Sequence, residues 1–272
     1  EFYPSYVEPT HFAGAEIQFT YEDQTGCVYV YLAYADGEFY IFDYNDESFD
    51  IDIFKLTDTE IIEEEIINSL KKLLPETTDN FLIAGLGNTE ITCDSIGPIS
   101  ASKILATRHI RGDFADNLGL TELKSVSVIN PSVLGKTGIE TAEIIKAVSD
   151  KIKPEAVILI DALSAMSMDR IFKTVQLSNG GISPGSGVKN SRKEISSKIL
   201  GVPVIAIGVP TVVNSLVLAE EISGRRLKSD YSMILTPKDA DILSKKISDI
   251  LSNALNIFLQ PKIDKEILLD MV

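Results

Sequence analysis

From Asn80 onward, short apolar runs alternate with stretches of helical periodicity, and this alternation restricts the fold more than any other feature of the chain. Phe81–Gly85, Lys124–Ile129, Ala156–Ile160 and Val202–Ile207 are brief and rich in aliphatic residues. They read as strands covered on both faces. Between them, Ile96–Thr107, Thr137–Ile152 and Val212–Ile222 carry apolar residues at helical spacing. Strand, helix and strand in that order form βαβ crossovers. The expected class is therefore α/β: a three-layer, open, mostly parallel sheet with helices on both faces. A final helix is expected from near Pro237 to about Leu259, with Thr236 as N-cap and Pro237 as its first residue.

A β-rich extension over residues 1–56 precedes this core. Ala15–Thr20, Cys27–Ala35 and Glu38–Asp43 alternate in polarity, and Asp36-Gly37 between the last two predicts a tight β-hairpin. Thr57 and Glu60 have capping-box spacing ahead of a helix from about Asp58 to Leu74, which Pro75 ends. No linker, repeat or low-complexity stretch interrupts the chain. One domain over residues 1–272 is expected, with its α/β core over 57–272.

Composition bears mainly on partners. At 44% hydrophobic residues a buried core is expected. Forty acidic against 25 basic residues leave a net charge of −15, which repels phosphate backbones and anionic lipid, so neither nucleic acid nor membrane is expected. The most apolar segment, Val202–Ala219, contains Pro203, Gly208 and Pro210 and reads as strand, turn and helix rather than a membrane span. The polar, aromatic start of the chain lacks an apolar signal region. Two cysteines, Cys27 and Cys93, and two histidines, His11 and His109, form no zinc-binding spacing. A cytoplasmic protein without a cofactor is the expectation.

In open parallel sheets, sites form beyond the C-terminal strand ends. This directs attention to Gly85–Asp94, Pro131–Thr137, Asp161–Ala165 and Gly208–Thr211. Gly85-Leu86-Gly87-Asn88 predicts a tight loop facing a ligand, although the full dinucleotide fingerprint is missing. Asp94 precedes a predicted helix and Asp161 follows a predicted strand, so an N-cap role explains either one alone. Together they are two carboxyls at the ends of parallel strands. Brought close, one holds a proton and the other acts as base on a water, which is chemistry suited to amide hydrolysis. Gly181-Ile182-Ser183-Pro184-Gly185 matches a nucleophile elbow in outline, but Pro184 has no N–H for an oxyanion hole. Cys93 with His109 leaves a thiol nucleophile open. Glu140 has capping-box spacing from Thr137. Ser186 lies in the glycine loop Gly180–Gly187, flanked by Lys189 and Arg192, which suit either solvent or a substrate carboxylate.

Several of these segments resemble the germination (spore) protease family, whose members degrade small acid-soluble spore proteins. The resemblance rests on Gly85–Asn88, Thr92–Pro98, Thr107-Arg108-His109, Thr137–Thr141, Ile160–Leu163, Pro184–Val188 and Gly201–Val213, in family order, with Leu235–Lys238 beyond them. It implies an atypical aspartic-type endopeptidase whose essential acids fall on Asp94 and Asp161. It also implies a zymogen, a homo-oligomer, the spore core as location, and a fold similar to hydrogenase-maturation peptidases. Asn88, His109, Glu140, Ser186, Lys189 and Arg192 are then the candidate substrate contacts. The sequence departs from the family pattern at Cys93 (usually Pro), Met166 (Arg), Ser183 (His) and Asn214 (Asp), and is shorter between Glu221 and Leu235. Two alternatives stay open: metal-assisted hydrolysis with Asp94, Asp161 and His109 as ligands, and a non-catalytic paralogue that binds spore proteins or sister subunits.

Overall fold

The computed structural model describes residues 59–110, 122–185, 193–229 and 233–271, together with the backbone of five short strands before them. Those strands are β1 (Thr20–Tyr21), β2 (Val28–Tyr29), β3 (Tyr34–Ala35), β4 (Glu38–Phe39) and β5 (Ser48–Asp52). β1 pairs with β2, and β3 pairs with β4 on either side of Asp36-Gly37. Thr57, and with it the predicted Thr57–Glu60 capping box, lies outside the described residues.

The strands that follow are β6 (Asn80–Gly85), β7 (Ser125–Ile129), β8 (Ala156–Ala165), β9 (Thr174–Ser178), β10 (Val204–Asn214) and β11 (Ile234–Leu235). They form a seven-stranded sheet in the order β5-β9-β10-β8-β6-β7, with β11 paired to β10. β10, β8, β6 and β7 run parallel, whereas β9, β5 and β11 pair antiparallel to their neighbours.

Helices cover both faces: α1 (Thr59–Leu73), α2 (Ile96–Ser102), α3 (Leu134–Thr137), α4 (Thr141–Ile152), α5 (Ser197–Leu200), α6 (Ser215–Ser223), α7 (Ala240–Leu259) and α8 (Lys265–Asp270). Strand alternation divides the core in two. Phe81, Ile83, Ile158, Ile160, Ile205 and Ile207 face Ile62, Ile66 and Leu70 of α1 and Ile247, Leu251 and Leu255 of α7. Leu82, Ala84, Val157, Leu159 and Val204 face Ala142 and Ile145 of α4 and Leu200 of α5. The three-layer α/β arrangement follows from that alternation. No described helix is long and apolar enough to cross a membrane.

Four local expectations need correction. β8 and β10 do not stop at Ile160 and Ile207. They pair with each other from Val157↔Val204 to Ala165↔Val213, so Asp161–Ala165 and Gly208–Thr211 are strand, not loop. Each ladder carries the other past the end of its apolar run. Pro210 is tolerated because it lies beyond Gly208, the last residue of β10 paired to β9. Second, α2 ends at Ser102, because the N–H groups of Thr107 and Arg108 both donate to Val126 O at 3.0 Å and draw this segment to the start of β7. Third, Thr137 and Glu140 form no capping box. Thr137 closes α3, Gly138 turns the chain at φ 71°, and Glu140 is the N-cap of α4 without a side-chain cap bond. Fourth, α7 starts at Ala240, while the Thr236 hydroxyl donates to Thr211 O at 2.8 Å.

Candidate active site

The site follows from strand order. From β6 the chain passes through α2 to β7 on one side, while the strand on the other side is β8, whose connection leads outward to β9 and β10. Adjacent strands with oppositely directed connections open a crevice at their C-terminal ends. Here β6 ends at Gly85, opposite Ile160, whereas β8 runs on. Asp161 is the first residue of β8 beyond that shared ladder. It is 5% exposed and pairs in register with Gly208 of β10.

Asp94 comes from the other wall of the crevice. After β6 the chain turns at Leu86, whose N–H donates to Ile160 O at 2.8 Å, and closes a short loop. The loop is held by Asn88 N–H donating to Asp94 O at 2.9 Å and Asp94 N–H donating to Ile91 O at 2.8 Å. Gly87 makes the closure possible. Its φ is +113°, and a Cβ there would lie 2.2 Å from Asp94 O. The loop ends in a single 3-10 turn over Thr92–Asp94, and Ser95 is the N-cap of α2. Neither acid is a helix cap, so the reading that explained each of them singly does not apply.

Asp94 and Asp161 line one cavity of about 370 Å³. Its floor includes Leu86, Gly87, Cys93, Thr211 and Val212, and the rim is apolar, with Ile91, Val133, Leu134 and Ile234. Burial pushes the Asp94 carboxyl up to about 6, partly offset by the Asn88 N–H. Burial also pushes Asp161 up to about 8, helped by the charge of Asp94 and opposed by the N–H of Ala162, which donates to Asp161 Oδ1 at 2.9 Å. Asp94 thus ionises first, and its charge then holds the proton on Asp161. Between these values the pair carries one proton.

The other expected contacts are placed unevenly. Ile182, Ser183, Pro184 and Gly185 bring the start of the glycine loop to the cavity, while Ser186, Lys189 and Arg192 lie outside the described residues. Asn88 is buried behind the loop, with Oδ1 accepting from Glu90 N–H at 3.1 Å, and does not line the cavity. Glu140 adjoins Thr141, which does line it; Glu140 Oε2 is buried and has no hydrogen bond. His109 does not line the cavity. It is exposed in a turn reached through Thr107 and Arg108, at the end of the sheet where β7 begins. The reason is the early end of α2.

This placement removes the Cys93–His109 pairing, and the Cys93 thiol is itself pushed up by burial and by Asp94. It also takes His109 from the proposed metal set. Among the described residues no group of three or more His, Cys, Asp and Glu side chains is arranged to hold a metal. Thr211 lies in the Gly208–Thr211 segment to which the strand-end rule directs attention, but the sequence assigns it no role, because its partner Cys93 is 118 residues away in the chain. Thr211 is fully buried, and its hydroxyl donates to Cys93 O at 2.6 Å.

Fold and site together define an α/β protein with two carboxyls, one buried and one partly buried, lining a cavity at the switch point of a mostly parallel sheet. The germination protease family profile matches residues 49–228. The germination protease of Caldanaerobacter subterraneus is 40% identical over 74% of this chain and 74% of its own length. That of Clostridium tetani is 42% identical over 68% of each, and that of Clostridium acetobutylicum 36% identical over 79% of this chain and 78% of its own. The chain belongs to the germination protease family, a family of peptidases. Among solved structures, the NiFe hydrogenase maturation protease HycI of Thermococcus kodakarensis aligns over 72% of this chain and 98% of its own, at 12% identity and a TM-score of 0.37.

Proposed function

We propose that this chain is an endopeptidase that cleaves small acid-soluble spore proteins in the germinating spore, with Asp94 as general base and Asp161 as general acid. One observation carries the reading: two carboxyls line one cavity, both shifted upward, with the more buried one holding its proton longer. Family membership supplies the peptide bond as the substrate class. Ionised Asp94 takes a proton from a water, and the oxygen of that water adds to the scissile carbonyl carbon. Asp161 gives its proton to the carbonyl oxygen. When the tetrahedral intermediate collapses, the C–N bond breaks, the leaving nitrogen takes the proton held by Asp94, and Asp161 recovers its own from the hydroxyl oxygen. No covalent acyl-enzyme forms, which fits a site whose serine motif is broken by Pro184.

The apolar rim formed by Ile91, Val133, Leu134 and Ile234 suits an extended segment that presents apolar side chains beside the scissile bond. The test uses Asp94→Asn and Asp161→Asn with a purified small acid-soluble spore protein, and fragments are followed by mass spectrometry. Each variant is expected to lose at least about a thousandfold in rate, since each removes one partner of the proton transfer. If either one cleaves at the parent rate, the acid-pair mechanism is wrong. Stable co-elution of the parent protein with the spore protein, without fragments, establishes a binding paralogue instead.

A further inference from the structure

We propose that Thr211 is a positioning residue: a β-bulge in β10 turns its hydroxyl into the Asp94 loop, and this strut fixes the Asp94 carboxyl against that of Asp161. The proposal rests on the acid-pair reading above and adds to it the residue that sets the spacing.

Along the β8–β10 ladder Pro210 pairs with Leu163 and Val212 with Ser164, which leaves Thr211 as an extra residue without a partner in β8. Bulges are uncommon between parallel strands, and they occur beside active sites because they re-aim a side chain. Thr211 is 0% exposed and lines the cavity. Its hydroxyl donates to Cys93 O at 2.6 Å, on the residue bonded directly to Asp94. The bulge is held on both sides. Phe172 N–H donates to Pro210 O at 2.7 Å, and the Thr236 hydroxyl donates to Thr211 O at 2.8 Å.

The other bonds of the loop tie it mostly to itself, to α7 or, through the Lys136–Glu90 ion pair, to α3, while Leu86 N–H to Ile160 O at 2.8 Å holds its first residue to β8. Asn88 N–H reaches Asp94 O, the Ser95 hydroxyl reaches Thr92 O at 2.8 Å, and the Ser244 hydroxyl reaches Thr92 O at 3.3 Å. None of these refers the Asp94 end of the loop to β10, the strand that pairs with Asp161. The Thr211 bond does, because Asp161 pairs with Gly208 of the same β10. A proton shared between two acids is sensitive to their spacing, and small misplacements cost rate rather than binding.

The experiment compares Thr211→Val, which keeps the shape and removes the hydroxyl, with Thr211→Ser, which keeps the hydroxyl. Hydrolysis of a purified small acid-soluble spore protein is measured as kcat and KM across the pH range that brackets both acids. Thr211→Val is expected to lower kcat about 10- to 100-fold with KM within about twofold. The upper limb of its pH–rate profile moves to lower pH, because Asp94 no longer presses its charge on Asp161, and Thr211→Ser restores both values. If Thr211→Val shows no folding transition, Thr211→Ala is the hydroxyl-free variant, read the same way. Parent-like kcat and pH profile in the hydroxyl-free variant overturn the proposal, and so does a Thr211→Ser variant impaired as deeply as Thr211→Val. Parent-like cleavage by Asp94→Asn removes the acid-pair reading itself. An inactive Asp94→Asn beside a parent-like Thr211→Val removes the strut alone.

Discussion

Asp161 keeps its proton because β8 carries it into the protein interior beside a second acid. That has a consequence for stability. Its carboxyl lies near 3.8 when unfolded and is raised to about 8 in the fold, so the folded chain binds the proton more tightly. Stability from this group is full below about pH 4 and is lost as pH rises towards about 8. Asp94, raised to about 6, acts with the same sign over the lower part of that window. The urea midpoint of Asp161→Asn is therefore expected to exceed that of the parent near pH 8 by an amount worth a few kcal/mol, and to approach it near pH 4. A constant gap between the two across that range contradicts the burial account. In the proposed mechanism Asp94 must be ionised and Asp161 protonated, so the rate should peak between about 6 and about 8 and fall on both sides. A profile of kcat/KM against pH checks this.

Close backbone approach also holds the elements around the acids. A Cβ on Gly97 would lie 2.2 Å from Leu86 O and 2.4 Å from Ile160 O, both main-chain atoms that cannot swing aside. Gly97→Ala is expected to cost about 3 kcal/mol or more by pushing α2 off the crevice, with activity lost in step; a thermal melt and a cleavage assay measure the two. Element existence was legible in the chain because period and apolarity are local properties. Strand ends were not, because Asp161 and Gly208 extend their strands through each other's hydrogen bonds. The Thr137–Glu140 spacing also misled: Gly138 breaks the helix that a capping box would have started. Thr236 has the residue type of an N-cap, yet its hydroxyl serves the bulge at Thr211. In both cases a distant partner or a backbone turn competes with the local rule.

Across the whole molecule, α7 ties the C-terminal region to the first half of the sheet. Asn256 accepts the Leu105 N–H at 2.9 Å and donates to Lys103 O at 2.8 Å, and Gln260 accepts the Lys124 N–H at 3.1 Å. Asn256→Ala leaves partly buried backbone groups without partners, so a loss of about 1–3 kcal/mol in urea unfolding is expected. Cleavage per folded molecule should be unchanged, because these bonds serve the end of the sheet where β7 begins. A matching fall in kcat would show that this brace reaches the acids. The sequence by itself determined the layer class, the helix faces and the two acids worth attention, since each is written in spacing along the chain. Tertiary structure alone decided that Asp94 and Asp161 share a cavity, that His109 stands away from it, and that Thr211 bulges towards the acid loop. Those outcomes depend on strand order and register, which arise from pairing between segments far apart in sequence and leave no periodic trace within either one.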